Sequence, residues 1–209
     1  MNKKETKKIL KKIWYFIWED NSIWSWLVNI LLAFILIKFI VYPGLGFVLS
    51  TTHPIVAVMS GSMEHEGSFD DWWNSETTVC AGNKECPQAE FYLMYNISKD
   101  DFKSYKFKNG FNTADIMVVY GTENIELGDV VVYQTKNPVP VIHRVINKWE
   151  ENGEYFVTTK GDHNAGINFN ERNLDSDYII GKAVFRVPYL GWIKLGFVKI
   201  MNSFGVTVR

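Results

Sequence analysis

The chain has 209 residues, 47% of them hydrophobic and 22% charged, with a formal net charge of −1. That length and hydrophobic content can bury a core without staples and exclude global disorder. The near-neutral charge argues against a nucleic-acid binder, and two cysteines are too few for a disulfide scaffold or an all-cysteine zinc site. Aromatic residues reach 15%, with eight Trp, an enrichment that suits contact with a membrane interface.

The first dozen residues are lysine-rich (Lys3, Lys4, Lys7, Lys8, Lys11, Lys12), and an aromatic group follows at Trp14, Tyr15, Phe16 and Trp18. Asn21 or Ser22 is placed to cap a helix. From Ile23 to Tyr42 the chain is almost continuously apolar, with Lys38 the only charge. About twenty helical residues rise roughly 30 Å, the thickness of a bilayer's hydrocarbon core. Pro43, Gly44 and Gly46 are expected to end that helix. The span is too long for the apolar region of a cleavable signal peptide, and the lysines beside it place the N-terminus in the cytoplasm. The expected organisation is therefore a basic cytoplasmic segment at 1–22, a transmembrane anchor at 23–43 and an extracytoplasmic domain at 44–209, single-pass in the cell membrane.

The remainder reads as mainly β. Candidate strands are Ile55–Met59, Ile116–Tyr120, Asp129–Gln134, Val141–Asn147, Tyr155–Lys160 and Ile179–Phe185, rich in Val, Ile, Tyr and Phe and bounded by turn residues. Gly128-Asp129, Asn152-Gly153 and Gly161-Asp162 mark turns. Residues 64–115 have a different texture, polar with scattered aromatics, and read as an insertion carrying both cysteines and the sequon Asn96-Ile97-Ser98. A disulfide between Cys80 and Cys86 is favoured outside the cytoplasm, with metal ligation as its rival. Val187–Arg209 reads either as an interfacial segment lying on a bilayer or as a strand and turn packed on the core.

Three segments carry residues able to do chemistry. In Ser60-Gly-Ser62-Met63 a glycine permits a sharp turn at a strand end and displays Ser62, although such a tripeptide also serves as a plain loop. In Val141-Ile-His143-Arg144-Val145 strand alternation sends His143 and Arg144 to opposite faces; the competing reading is a core histidine satisfied by a hydrogen bond. In Lys160-Gly161-Asp162-His163 the aspartate is either a turn residue or an acid that orients His143. Ser, His and Asp together suit acyl transfer. A metal-dependent hydrolase built on His65, Glu66, His143 and Asp162 lacks any His-Glu-x-x-His pattern.

Ser-Gly-Ser-Met-Glu (60–64), Gly-Asp-Val-Val-Val-Tyr (128–133), Val-Ile-His-Arg-Val-Ile (141–146), Thr-Lys-Gly-Asp (159–162) and Val-Pro-Tyr-Leu-Gly (187–191) occur in one order. Together they resemble type I signal peptidases of the archaeal and endoplasmic-reticulum branch, over the anchor and most of 50–193. The resemblance implies a signal-peptidase-like antiparallel β catalytic domain and a membrane-anchored serine endopeptidase that removes signal peptides from secreted preproteins. It implies Ser62 as nucleophile, His143 as general base, Asp162 as the acid, and Ser60 with the Ser62 backbone as the oxyanion hole. Gly128-Asp129 matches an architectural motif. The substrate is expected to lie extended beside Ile55, Val56, Ala57, Val58 and Met59. No metal or organic cofactor is implied; preproteins, membrane lipid and the secretion translocon are the implied partners, and no nucleic acid. Two departures stand out. Relatives commonly carry an aspartate six residues after the Gly-Asp aspartate, where this chain has Asn168. If that position holds the triad acid, Asp162 must take the charge or Asp175 or Asp177 must fold in, and Asn168→Asp is expected to raise activity. The alternative is a weak or inactive relative acting as a membrane-anchored binding module. The second departure is the 64–115 insertion, expected to form a lid, a partner surface or a channel wall.

Overall fold

A computed structural model describes residues 3–80, 82, 84–134 and 139–203. The chain forms two compact units, 1–48 and 49–209.

In the first unit the lysine-rich start is helical, α1 (Lys3–Trp18). Its lysines recur three to four residues apart, which gathers them on one face. Ser22 caps the next helix, α2 (Ile23–Leu36), its hydroxyl accepting the Ser25 N–H at 3.3 Å. The Ser25 hydroxyl and the Asn29 amide donate to the Phe16 and Ile17 carbonyls of α1, tying the two helices into a hairpin. The helix does not stop at Pro43. A π-helical turn at Ile37–Val41 leads directly into α3 (Tyr42–Val48), so 23–48 runs as 26 helical residues, long and apolar enough to cross a membrane. The physical reason lies in the turn before the proline. The Tyr42 N–H reaches back five residues to the Ile37 carbonyl, and this widened turn absorbs a residue that would otherwise break the ladder.

The second unit is built on an antiparallel seven-stranded sheet. Its strands are β1 (Ile55–Ala57), β4 (Ile116–Tyr120), β5 (Val130–Tyr133), β6 (Val141–Glu151), β7 (Glu154–Lys160), β8 (Leu174–Asp175) and β9 (Ile179–Val187), in spatial order β1-β4-β9-β5-β6-β7-β8. Each of the six expected strands is present; β6 and β9 run further than the sequence suggested, and β1 is shorter. Asn152 and Gly153, both at positive φ, form the turn from β6 to β7, as this residue pair favours. Alternating apolar residues of β5, β6 and β7 bury one core with Ile125 and Leu174. Val58, Met63, Phe111, Met117 and Val130 form another behind β1 and β4.

The insertion is a structured subdomain rather than a polar loop. It holds α4 (Phe69–Trp73), the hairpin β2 (Thr78–Val79) and β3 (Glu85–Cys86), α5 (Gln88–Leu93) and α6 (Lys99–Ser104). Ser68 with Asp71 and Ser98 with Asp101 form reciprocal capping boxes that start α4 and α6. The scattered aromatics converge: Trp72, Trp73, Phe91, Tyr92 and Phe102 pack with Ile97 and with Ile146 of β6. Cys80 and Cys86 are joined by a disulfide with Cα atoms 5.8 Å apart. Asn96 of the sequon is exposed at φ 58° between α5 and α6. After β9 the chain forms a helix, α7 (Trp192–Ser203), where a strand and turn had been one expectation. Residues 204–209 of the expected interfacial segment lie outside the described residues.

Candidate active site

Beyond β1 the chain makes a tight turn in which the Glu64 N–H returns to the Gly61 carbonyl at 3.0 Å. Met63 is fully buried and acts as the anchor of this turn, its carbonyl accepting the Phe111 N–H. Ser62, directly before it, is thereby held at the surface of the core with a partly exposed side chain. Its carbonyl accepts the His163 N–H at 2.8 Å, which fastens the serine turn to the loop after β7. That approach requires glycine at 161, because a Cβ there would stand 2.7 Å from the Ser62 carbonyl oxygen.

His143 lies near the start of β6, paired with Val131 of β5, and only 5% of it is exposed. Its Nε2 is 3.0 Å from Ser62 Oγ. Its Nδ1 is hydrogen-bonded to Glu171 Oε1. A carboxylate only accepts, so Nδ1 carries the proton and Nε2 presents its lone pair to the Ser62 hydroxyl. This is the tautomer in which an imidazole can take the serine's proton.

The carboxylate is the correction. Asp162 does not meet His143; both ring nitrogens of His143 are occupied by Ser62 and Glu171. Asp162 is fully buried in a separate network, gripped by Arg144 Nε at 2.9 Å and Arg144 Nη2 at 2.7 Å. It also meets His65 Nε2 at 3.0 Å and accepts the Tyr92 hydroxyl at 3.1 Å. Burial pushes its carboxyl up, but the Arg144 charge and the His65 and Arg144 hydrogen bonds outweigh that and hold it well below the usual carboxylate range. Arg144 spends its remaining N–H groups on the carbonyls of Lys106, Phe107 and Gly128. Strand alternation explains the division: neighbouring residues of β6 point oppositely, so His143 goes to one network and Arg144 to the other. Gly128-Asp129 serves the architecture, as expected: Gly128 sits at φ 87° and supplies a carbonyl to Arg144, while Asp129 pairs with Lys182.

Glu171 was not singled out by the sequence reading. It ends a one-turn 3₁₀ helix, Phe169–Glu171, capped by Asn168. The Asn168 backbone N–H and side-chain amide donate to Glu171 Oε2 at 2.9 and 2.8 Å, and the Tyr133 hydroxyl donates to Oε1 at 2.8 Å. Burial raises this carboxyl too, but the hydrogen bond and charge of His143, with the Asn168 and Tyr133 donors, leave it lowered and ionised at neutral pH. Asn168 is thus a cap that aims Glu171. Asp175 does not fold in either; it caps the following turn by accepting the Asp177 N–H. The sequence signal that could have found Glu171 is the Asn-x-x-Glu spacing of a capping box in the loop after Gly161-Asp162.

Ser60 Oγ lies 3.2 Å from Ser62 Oγ. The strand leading to both, β1, is the terminal strand of the sheet. Its Pro54 carbonyl and Val58 N–H bond toward β4, so by antiparallel alternation the backbone groups of Ile55 and Ala57 point off the open edge. Among the described residues, no three His, Cys, Asp or Glu side chains are grouped to hold a metal ion.

No protein-family model and no solved structure matches the chain. Among curated proteins it is similar to the signal peptidase complex catalytic subunit SEC11 of Colletotrichum graminicola, 26% identical over 166 residues that cover 75% of this chain and 71% of the relative. The same subunit of Schizosaccharomyces pombe is 27% identical over 164 residues, covering 74% and 72%. That of Lachancea thermotolerans is 26% identical over 168 residues, covering 75% and 73%.

Proposed function

We propose that this chain, a homologue of signal peptidase complex catalytic subunits, is a membrane-anchored serine endopeptidase that cleaves signal peptides from preproteins. The observation that carries the reading is the chain of contacts Ser62 Oγ to His143 Nε2 at 3.0 Å and His143 Nδ1 to Glu171. Ser62 attacks the scissile carbonyl while His143 takes its proton. Glu171, in place of the Asp162 assigned from sequence, holds the imidazole and stabilises the imidazolium that forms. The Ser60 hydroxyl and the Ser62 backbone N–H receive the negative charge on the tetrahedral oxygen. His143 then protonates the leaving amine, the N-terminus of the mature protein. An acyl-enzyme on Ser62 remains. Water gives a proton to His143 as it attacks that ester, His143 passes the proton to Ser62 Oγ as the ester bond breaks, and the signal peptide leaves as a carboxylic acid that ionises in solvent.

The open edge of β1 supports binding of the precursor as an added strand, with the residues before the scissile bond paired against Ile55–Met59. The helix 23–48 supplies the anchor. With the lysines of α1 on the cytoplasmic side, the catalytic domain belongs on the opposite side of the membrane, and the anchor confines it to the membrane that holds the signal peptide. The secretion translocon and membrane lipid are its partners on this reading. The inactive-module reading rested on a missing acid, and Glu171 removes that motive.

Cleavage of a model preprotein in detergent tests the proposal. The wild-type protein is expected to release the signal peptide, and Ser62→Ala to abolish release while keeping the thermal unfolding of the parent. Equal cleavage by Ser62→Ala defeats the nucleophile assignment.

A further inference from the structure

The loop between β7 and β8 must deliver Glu171 to a buried imidazole, yet it has no regular structure of its own before the 3₁₀ turn that ends in Glu171. Ser62 and Arg144 hold its first residues through His163 and Asp162, and the insertion holds it from there to Ile167. At the start of the loop, the Asp162 carbonyl accepts the side-chain amide of Gln88, the first residue of α5, at 3.1 Å, while Tyr92 and His65 hold the Asp162 carboxylate. Gln88 is fully buried and its carbonyl oxygen accepts from Lys160 Nζ, so it ties the end of β7 to the loop. In the middle, the Ala165 carbonyl accepts the Val79 N–H at 2.7 Å. Val79 belongs to the β2–β3 hairpin that the Cys80–Cys86 disulfide closes. Two residues further on, Ile167 packs against the aromatic cluster of Trp72, Trp73, Phe91, Tyr92 and Phe102. The next residue is Asn168, the cap of Glu171.

We infer that the 64–115 insertion is a positioning element for the reaction, with Val79 and Gln88 as its positioning residues. It grips the 162–167 segment at three successive points so that Asn168 can aim Glu171 at His143. The inference rests on the reading of Glu171 as the carboxylate that orients the base. It differs from a lid or a partner surface, because the insertion packs on Ile146 of β6 and on the acid loop. Its role is to order the stretch of the loop that leads to Asn168 before the substrate arrives.

Val79→Pro tests this directly, since it deletes the one N–H that reaches Ala165, and Val79→Ala, which keeps it, is the control. Cys80→Ala/Cys86→Ala, which opens the hairpin, is the second variant in case proline prevents folding. Two readouts are needed in the full-length protein in detergent. The first is preprotein cleavage with kcat and KM separated. The second is the imidazole spectrum of ¹⁵N-histidine-labelled protein, tractable with four histidines in the chain. The expectation is a kcat loss of about 10–100-fold with KM little changed, the scale of a small misplacement of catalytic groups. The low-field proton of the His143–Glu171 hydrogen bond should weaken or vanish in parallel, while cooperative unfolding persists. Wild-type kcat in folded Val79→Pro or in the cysteine double variant overturns the inference, as does a kcat loss with the low-field proton intact or an equal loss in Val79→Ala. The spectrum reads positioning even in a protein that cleaves nothing, so failure of the peptidase reading and failure of this inference are distinguishable.

Discussion

Replacing Glu171 with glutamine exchanges one oxygen for an NH₂ group in a site where every neighbour is a donor. Oε1 faces the His143 Nδ1–H and the Tyr133 hydroxyl, and Oε2 faces the two N–H groups of Asn168. The new amide must turn its NH₂ toward one of these pairs. If it faces Asn168, donors oppose donors and the cap opens. If it faces His143, the ring shifts to the tautomer with its proton on Nε2, which can no longer take the Ser62 proton. Loss of the correct tautomer by a carboxylate-to-amide change costs about 10⁴ in rate, equivalent to about 5 kcal/mol of transition-state stabilisation at 1.36 kcal/mol per tenfold. The assay is single-turnover cleavage of a preprotein in detergent by Glu171→Gln and Asp162→Asn, each checked for cooperative thermal unfolding. Glu171→Gln is expected to stay folded and lose about three to four orders of magnitude in kcat. A Glu171→Gln enzyme within tenfold of wild type, beside a folded but inactive Asp162→Asn, refutes the assignment and restores Asp162 as the acid.

Further expectations follow from the same contacts. Asn168→Asp sets a second carboxylate against Glu171 Oε2, where the amide now donates at 2.8 Å, so preprotein cleavage should fall rather than rise. Asp162→Ala leaves Arg144 as an unpaired buried charge and should cost about 3–5 kcal/mol in chemical denaturation. Because the folded state holds the Asp162 carboxyl below its unfolded value, its contribution is present above about pH 4 and lost as pH falls further, so Asp162→Asn should flatten the acid limb of the stability profile. Lys160 is pushed down to about 8 by burial, against the pull of Asp162 and Glu171. Between that value and its unfolded value near 10.4 the unfolded chain binds more protons, so stability should rise with pH through this window by about 3 kcal/mol, and Lys160→Met should remove the rise. Thiol titration of the unreduced protein should find no free cysteine.

The sheet was legible because its strands are β-branched runs bounded by turn residues, a signal that depends only on local pattern. The apolar helix was legible for the same reason, except at its end. Proline was read as a terminator, whereas the π turn at Ile37–Val41 carries the helix five residues past it to Val48. The insertion was legible in extent but not in structure. Its aromatics are spaced irregularly because they come from three short helices that meet only in three dimensions, with Trp72, Tyr92 and Phe102 each on a different one. At the candidate site, strand and turn context singled out Ser62 and His143, whose side chains meet at 3.0 Å. For Glu171 the one local signal is the Asn-x-x-Glu spacing of its cap, which says nothing of the approach to His143; that approach is made in three dimensions by a loop that Gln88 and Val79, remote in the chain, contact.

On the proposed reading, Asp162 and Glu171 show why residue type and motif do not suffice to choose a catalytic acid. Both are buried, ionised and within one loop. Asp162 already faces the permanent charge of Arg144 on both of its oxygens. A carboxylate neutralised in that way has little field left for an imidazolium that forms only during turnover, so its value is to lock β6, the 106–107 turn and the loop after β7 together. Glu171 is not gripped in this way: Lys160 acts on it only through space, without a hydrogen bond. Apart from His143 it receives only neutral donors, from Tyr133 and Asn168, which keep it ionised and aimed without cancelling its charge. Its attraction for His143 is therefore greatest when the ring becomes cationic, which is the condition for stabilising the transition state more than the resting enzyme. The separation of the two roles requires Arg144 directly after His143, because adjacent strand residues face opposite ways and so keep the permanent cation away from the acid that serves the base.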